Sequence, residues 1–456
     1  MGYPNASAGR QRDMRDILTK AREAQARSDW AVAAEAWHDA ILHGTGRGDT
    51  RWYLQLGRCL EELDRLPQAE AAYREARARA PDDTKIANRL LRVLLRQSLA
   101  SSEGYGPRRE EVVTLAKSIV QNALPAEGVR TVAALLRVSA IKEASAALGR
   151  LIPSIADLRS AEIAQRLIPL AFEEGARVQH FQALLGVADR TDTRLLDESE
   201  QARLSRLKAT LRFAMYDYEA FAQQVDCDRR LLSTRPEFGL IEHIRRRLER
   251  PLDEIFAEPK IFGIGLSKTG TTSLAEALNL LGFLTGHLQN PLTCERLTDR
   301  DYYFLHAATD GPRQNFESLY YTYPNSRFIL TIRPFESWET SIEKHFRTLF
   351  VSDTQAGDWR PYNSCLTSQR RGLAHAIDMY THHLGKGGRR AAYDAFQQRV
   401  THFFSNKPPG RLLTLDIFSG QGWPELCTFL HLAEPSVPFP WVNKDPARKL
   451  DAVEGS

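Results

Sequence analysis

Two groups of residues in this chain have the types and spacing to hold anions. The first is the stretch Gly265, Ser267, Lys268, Thr269, Gly270, Thr271, Thr272 and Ser273, in which glycines, hydroxyls and one lysine fall close together. The glycines allow the backbone to bend so that successive N–H groups point inward around an anion. Thr271, Thr272 and Ser273 then open a helical pattern whose positive end faces the same point. The second group is Arg333 with Ser341, eight residues later. A guanidinium offers two parallel charge-assisted hydrogen bonds, and a hydroxyl beside it completes a receptor for a phosphate monoester.

The elements that must position these residues follow from the flanking pattern. Ile261 to Ile264 reads as a buried parallel strand, and Leu274, Ala277, Leu278 and Leu281 give the following helix an apolar face to lay on a sheet. Tyr302 to Leu305 is the next predicted strand, running into His306, and Phe316, Leu319 and Tyr320 mark a helix. Arg327 to Ile332 is a β-branched, apolar strand that delivers Arg333 at its end. Arg411 to Ile417 is a last strand, Gly420 to Pro424 turn into a helix over Glu425 to Leu430, and Pro438 to Asn443 close the ordered pattern. Alternating strands and helices after a phosphate loop predict a central parallel sheet that binds ligands at the carboxyl ends of its strands.

The position of the lysine separates two kinds of phosphate loop. The glycines keep Walker A spacing, but Gly270 is followed by Thr271 and Lys268 lies inside the loop. This arrangement resembles the 5'-phosphosulfate loop of sulfotransferases that use 3'-phosphoadenosine 5'-phosphosulfate (PAPS), G-x-x-[KR]-[ST]-G-T-T-[SW]-L. Arg333 with Ser341 resembles the 3'-phosphate motif of the same family. The resemblance covers roughly Pro259 to Lys444 and implies an α/β P-loop-like domain. It further implies PAPS as donor, 3'-phosphoadenosine 5'-phosphate (PAP) as product, and in-line transfer to an acceptor hydroxyl without a metal. Lys268 would neutralise charge on the transferring group. Cytosolic members place a histidine base in a T-H-x-P-like turn; here Thr309-Asp310-Gly311-Pro312 puts Asp310 there, and burial could raise its pKa. His306 and His287 are the rival bases. Two features depart from the family. Ser273 stands where cytosolic members have an adenine-stacking tryptophan, and no basic R-K-G-x-x-G loop follows the last strand. Trp423 is a candidate stacking surface, and reads at least as well as a core tryptophan.

Other readings remain. Asp416 at a strand end could be a Walker B carboxylate of an ATP- or GTP-dependent kinase or hydrolase, although the loop lacks the lysine that would work with it. A repeat-based interaction protein with an inactive donor site is a third class. Within the sulfotransferase reading, a glycan such as a surface polysaccharide or its precursor is the first acceptor and protein tyrosine the second. Phe350 to Arg371 is the irregular segment expected to set acceptor specificity.

The N-terminal half reads differently. Ala33, Trp37 and Ala40 align with Ala69, Tyr73 and Ala76 at an offset of 36 residues, near the roughly 34 of a tetratricopeptide repeat. Leu56, Gly57, Leu60 and Pro81 fit the second copy. The pattern predicts repeat-like helices over 1–84, a helical continuation or spacer over 85–250, a linker over 251–258 and the sulfotransferase-like domain over 259–456. Paired-helix surfaces suit a polymeric acceptor or a protein partner. The run Arg245 to Arg250 reads as a solvated helix end.

With 456 residues, 43% apolar and 26% charged, the composition is that of a multi-domain globular protein. A formal charge of +4 does not argue for nucleic acid. Five cysteines without C-x-x-C spacing suit reduced thiols. No stretch supplies a signal h-region or the roughly 20 uninterrupted apolar residues of a membrane span, so the expected location is cytoplasmic.

Overall fold

The computed structural model describes residues 6–44, 49–100, 108–122, 124–138, 140–347, 350–352, 359–361 and 388–442. The N-terminal half is all-helical, and a parallel sheet follows it in the C-terminal half. The chain forms two compact units, Met1–Ile155 with Phe346–Cys365, and Ala156–His345 with Leu366–Ser456.

The first unit contains α1 (Ala6–Ala26), α2 (Trp30–His43), α3 (Thr50–Glu62), α4 (Leu66–Arg79), α5 (Thr84–Ala100), α6 (Arg109–Asn122), α7 (Pro125–Arg137) and α8 (Ile141–Leu151). Local chemistry starts several of them. Asp29 caps α2 by accepting from the Val32 amide, and proline opens α7 at its first position. The 36-residue offset extends beyond the alanines and aromatics. Trp37 Nε1 donates to Gln25 Oε1 at 3.2 Å, and Tyr73 Oη donates to Glu61 Oε2 at 3.0 Å. Each buried aromatic thus reaches back to a polar side chain in the preceding helix at the same separation. Gly57 is obligatory at this crossing, since a Cβ there would lie 2.5 Å from the Tyr73 ring. Glu61 is buried within reach of Arg89 and Arg92, and its carboxyl is lowered. Burial is the largest influence and opposes ionisation, but hydrogen bonds and charge from the arginines and Tyr73 outweigh it.

The second unit begins inside the stretch read from sequence as a spacer. Its helices are α9 (Leu158–Ala171), α10 (Glu174–Arg190), α11 (Glu198–Ala214), α12 (Tyr218–Cys227), α13 (Arg229–Leu232), α14 (Phe238–Arg247) and α15 (Leu252–Ala257). A capping box, Asp197 with Glu200, starts α11. These helices share a core with the sheet-bearing segment: Phe213, Phe221, Val225, Ile241 and Ile244 pack with Leu292 and Phe304. Polar contacts reinforce the union. Gln165 donates to the Thr293 carbonyl at 2.7 Å, and Arg177 pairs with Glu295. The run Arg245 to Arg250 is less solvated than its composition suggested, because Arg247 is 3% exposed and ties α14 to the Tyr303 carbonyl and Glu258. Residues 251–258, read as a linker, carry α15.

The sheet is assembled from β1 (Ile261–Gly263), β2 (Thr285–His287), β3 (Ala307–Thr309), β4 (Arg327–Thr331) and β7 (Leu412–Leu415), all parallel, in the order β2-β3-β1-β4-β7. Between them run α16 (Thr271–Leu280), α17 (Asp301–Phe304), α18 (Phe316–Thr322), α19 (Phe335–Arg347) and α20 (Gly388–Ser405), with α21 (Trp423–Leu430) after β7. A separate antiparallel pair joins β5 (Phe350–Ser352) to β6 (Trp359–Pro361). Leu274, Ala277 and Leu278 of α16 pack with Ile261, Ile329 and Leu415, as the apolar pattern required. The strand expected over Tyr302 to Leu305 begins later. Asp301 accepts from the Thr298 amide and hydroxyl, so Asp301–Phe304 turn as a short helix that buries Tyr302 and Phe304, and β3 starts at Ala307. Among the described residues no helix is long and apolar enough to cross a membrane.

Candidate functional site

The strand order places β1 centrally, with β3 on one side and β4 on the other. The chain reverses its direction of winding across β1, and such a switch point opens a crevice at the carboxyl ends of the strands. The loop 264–270 lies there. Gly270 has φ 97°, Lys268 has φ 72° and Asp310 has φ 66°, so two non-glycine members of the expected site hold the left-handed conformation. Gly265 is fixed by close approach: a Cβ would collide with Thr331 Oγ1 and stand 2.7 Å from the Thr331 carbonyl oxygen. Three carbonyls of the loop are capped by side chains. Leu266 O accepts from the Thr269 hydroxyl at 2.6 Å, Ser267 O from Trp338 Nε1 at 3.0 Å, and Lys268 O from Arg333 Nη1 at 3.1 Å.

The hydroxyls divide into two kinds. Thr269 Oγ1 is buried against Thr331 Oγ1 at 2.7 Å, so its side chain braces the loop. Ser273 is also buried and accepts from the Val442 amide at 3.1 Å. Thr271 is buried in the first turn of α16. Thr272 Oγ1 faces His287 Nε2 at 3.0 Å, and Ser267 Oγ donates to Asp310 Oδ1 at 2.7 Å. These last two hydroxyls connect the loop to His287 and Asp310.

Arg333 emerges after β4 as expected. Its Nε donates to Ser337 Oγ at 2.8 Å, its Nη1 holds the loop, and its Cζ lies 4.2 Å from the Phe418 ring centroid. Ser337 is the hydroxyl set directly against the guanidinium, and Ser341 follows one turn later on α19, partly buried. Burial pulls the Arg333 pKa below its ordinary value, with Tyr393 opposing; a guanidinium stays charged throughout. Trp338, on the same helix, is buried and packs on Tyr393 at 4.9 Å. The bracing roles of Trp338 and Ser337 follow from the helical spacing after Arg333 but depend on a crossing angle that spacing does not supply.

The three residues weighed as bases have different surroundings. His287 ends β2, in register with Thr309. Its Nδ1 lies 2.7 Å from Thr309 Oγ1, and its Nε2 faces Thr272. Asp310 is buried beside it and paired with Arg313, which also caps the Asp310 carbonyl. Burial is the largest influence on this carboxyl and would raise its pKa. Arg313, His287 and the Ser267 hydrogen bond outweigh burial and hold it below the ordinary range. The direction is opposite to the one burial alone suggested. The signal for Arg313 was present as the arginine three residues after Asp310 in the Gly311-Pro312-Arg313 turn. His306 lies at the other end of β3, where its Nδ1 accepts from the Leu284 amide and its ring meets His243 edge-on at 4.5 Å. Burial, then the charges of His243, Arg247 and Lys260, push it down to about 4. The structure therefore brings Lys268, His287, Asp310 and Arg333 to one edge and leaves His306 at the opposite one.

A glycine-bounded loop with an internal lysine, flanked by an arginine that follows the neighbouring strand β4, distinguishes this edge from a Walker A loop. Residues 260–447 match the family model of a sulfotransferase domain. No curated protein matches the chain. The matched residues include Lys268, His287, Asp310 and Arg333. The structure also decides between two pairs of alternatives. Trp423 is buried, with Nε1 donating to the Val437 carbonyl at 2.7 Å and Phe439 packed edge-on at 4.9 Å, so it is core and not a stacking surface. Asp416 Oδ1 accepts from the Phe418 and Ser419 amides, capping a turn in place of the Walker B role. Phe350 to Arg371 lies largely outside the described residues.

Proposed function

We propose that this chain transfers the sulfuryl group of PAPS to an acceptor hydroxyl, releasing PAP. The observation that carries the reading is the joined geometry of loop and arginine: Lys268 holds a left-handed backbone within the loop 264–270, and Arg333 Nη1 donates to its carbonyl. Lys268 and the loop amides would bind the 5'-phosphosulfate, and Arg333 with Ser337 and Ser341 the 3'-phosphate.

The acceptor oxygen forms its bond to sulfur as the bond from sulfur to the bridging phosphate oxygen breaks. The electron pair leaves on PAP, where Lys268 offsets the charge. We assign the acceptor's proton to His287. With Nδ1–H donated to Thr309 Oγ1, Nε2 carries the lone pair, and an acceptor hydroxyl would replace Thr272 as its partner. Asp310, fixed as a carboxylate by Arg313 and Ser267, is a weaker proton acceptor; it would stabilise the imidazolium that forms.

The acceptor we favour is a glycan hydroxyl. The paired helices of the N-terminal unit support this choice, because repeated helix pairs offer an extended surface suited to a polymer. The donor reading is tested by calorimetric titration of the full chain with PAP and, separately, with ATP and magnesium. Tight PAP binding that is lost in Arg333→Ala is expected. Binding of ATP with magnesium, indifferent to the 3'-phosphate, would sink it.

A further inference from the structure

The segment Val437–Val442 has no part in the assignments above, yet it is anchored at three points, two at the start of α21 and one at the first turn of α16. Val437 O accepts from Trp423 Nε1 at 2.7 Å. Phe439 packs edge-on against Trp423 and lies over Gly422, where a Cβ would stand 3.0 Å from its ring. The Val442 amide donates to Ser273 Oγ in the first turn of α16. These anchors hold the backbone of the strap, and the next aromatic, Trp441, stays 45% exposed. Its indole meets Phe418 at 5.5 Å and 77°. Phe418 in turn carries the Arg333 guanidinium 4.2 Å above its ring and lies beside Gly270, whose Cβ would be 3.7 Å away.

A large, half-exposed indole, fixed in orientation and separated from a phosphate-binding arginine by one aromatic ring, has the geometry of a stacking face for a nucleoside base. We propose that Trp441 stacks the purine of the donor and that Phe418 is the positioning residue that sets the indole relative to Arg333. The base is then held by the C-terminal strap and not by the loop helix. Ser273, at the position from which a loop-borne aromatic would project, serves as the pin that brings the strap into place. This inference rests on the donor reading, since it requires a nucleotide whose ribose phosphate reaches Arg333.

The test separates the two. The full chain, Trp441→Ala, Trp441→Phe and Phe418→Leu are titrated with PAP and with tetrahydrofuran 3',5'-bisphosphate, an analogue that keeps both phosphates and lacks the base. Base–aromatic stacking predicts that Trp441→Ala weakens PAP by about tenfold to a hundredfold, leaves the analogue's affinity unchanged, and is rescued by Trp441→Phe. Phe418→Leu should weaken PAP more than the analogue. PAP should also quench tryptophan fluorescence in the native chain and not in Trp441→Phe. Equal PAP affinity in Trp441→Ala and the native chain would overturn the proposal while leaving the donor reading intact. Equal losses of PAP and the analogue would overturn it in favour of a purely structural strap. A native chain that binds neither probe would remove the donor reading and this inference with it.

Discussion

Removing the Arg313 guanidinium should be the most damaging single change at the site. Arg313 is 2% exposed and Asp310 6%, and the guanidinium serves both the carboxylate and the carbonyl of Asp310. Arg313→Met keeps most of the volume and leaves a buried carboxylate without its main counter-charge. Breaking one side of such a pair costs about 3–5 kcal/mol, a large part of the roughly 5–15 kcal/mol that stabilises a domain. The double variant Arg313→Met/Asp310→Asn removes both charges and should recover most of that loss. The signs with pH also differ. In the native chain the Asp310 pKa is held below its unfolded value, so its stabilisation is present above about pH 4 and lost as pH falls through the lower, folded value. In Arg313→Met, burial becomes dominant and raises the folded pKa, so stability should fall as pH rises above about 4. Urea unfolding of the full chain at pH 5 and pH 7, for the native, single and double variants, measures both effects. A single variant within about 1 kcal/mol of native, or no recovery in the double variant, would refute the buried-pair argument.

Gly265→Ala should displace the loop or break the Thr269–Thr331 hydroxyl contact. We expect a loss of about 1–3 kcal/mol in thermal or urea unfolding together with weaker PAP binding, and unchanged values for both would show that the loop yields easily. His287→Asn should lower turnover by about 10²- to 10⁴-fold with PAP affinity retained, whereas loss confined to Asp310→Asn in a transfer assay would reassign the proton acceptor. His306 is held neutral, at about 4 against an ordinary 6.5, so its contribution is complete above about pH 6.5 and is lost as pH falls toward 4. The full shift is worth roughly 3 kcal/mol; solvent reaching this half-buried ring reduces the expected loss to about 1–2 kcal/mol. His306→Asn should flatten that part of the stability–pH curve, and an unchanged slope would mean the ring does not titrate with folding.

The sequence by itself marked the turn between β1 and α16, where the backbone needs glycine: Gly265 has no room for a Cβ and Gly270 has φ 97°. It also determined that Arg333 would stand at the carboxyl end of a strand beside the loop, since β-branched residues, a strand end and a parallel sheet leave few alternatives. The helix pairs of the N-terminal unit were legible from the Trp37 and Tyr73 offset; their shared hydrogen bonds to Gln25 and Glu61 were not, because partners in different helices leave no periodic trace. Only the tertiary structure decided which of the candidate bases faces the loop. His287, His306 and Asp310 are separated in the chain by short segments of similar polarity, and the parallel register sends His287 to one edge of the sheet and His306 to the other. Asp310 looked like a base whose pKa burial would raise until Arg313 folded back onto it. Trp423 and Trp441 are equivalent as aromatic residues near the C-terminus; packing buried one against Phe439 and left the other beside Phe418. Composition and spacing name the groups able to do chemistry, but their protonation and exposure depend on neighbours that the chain brings together only on folding.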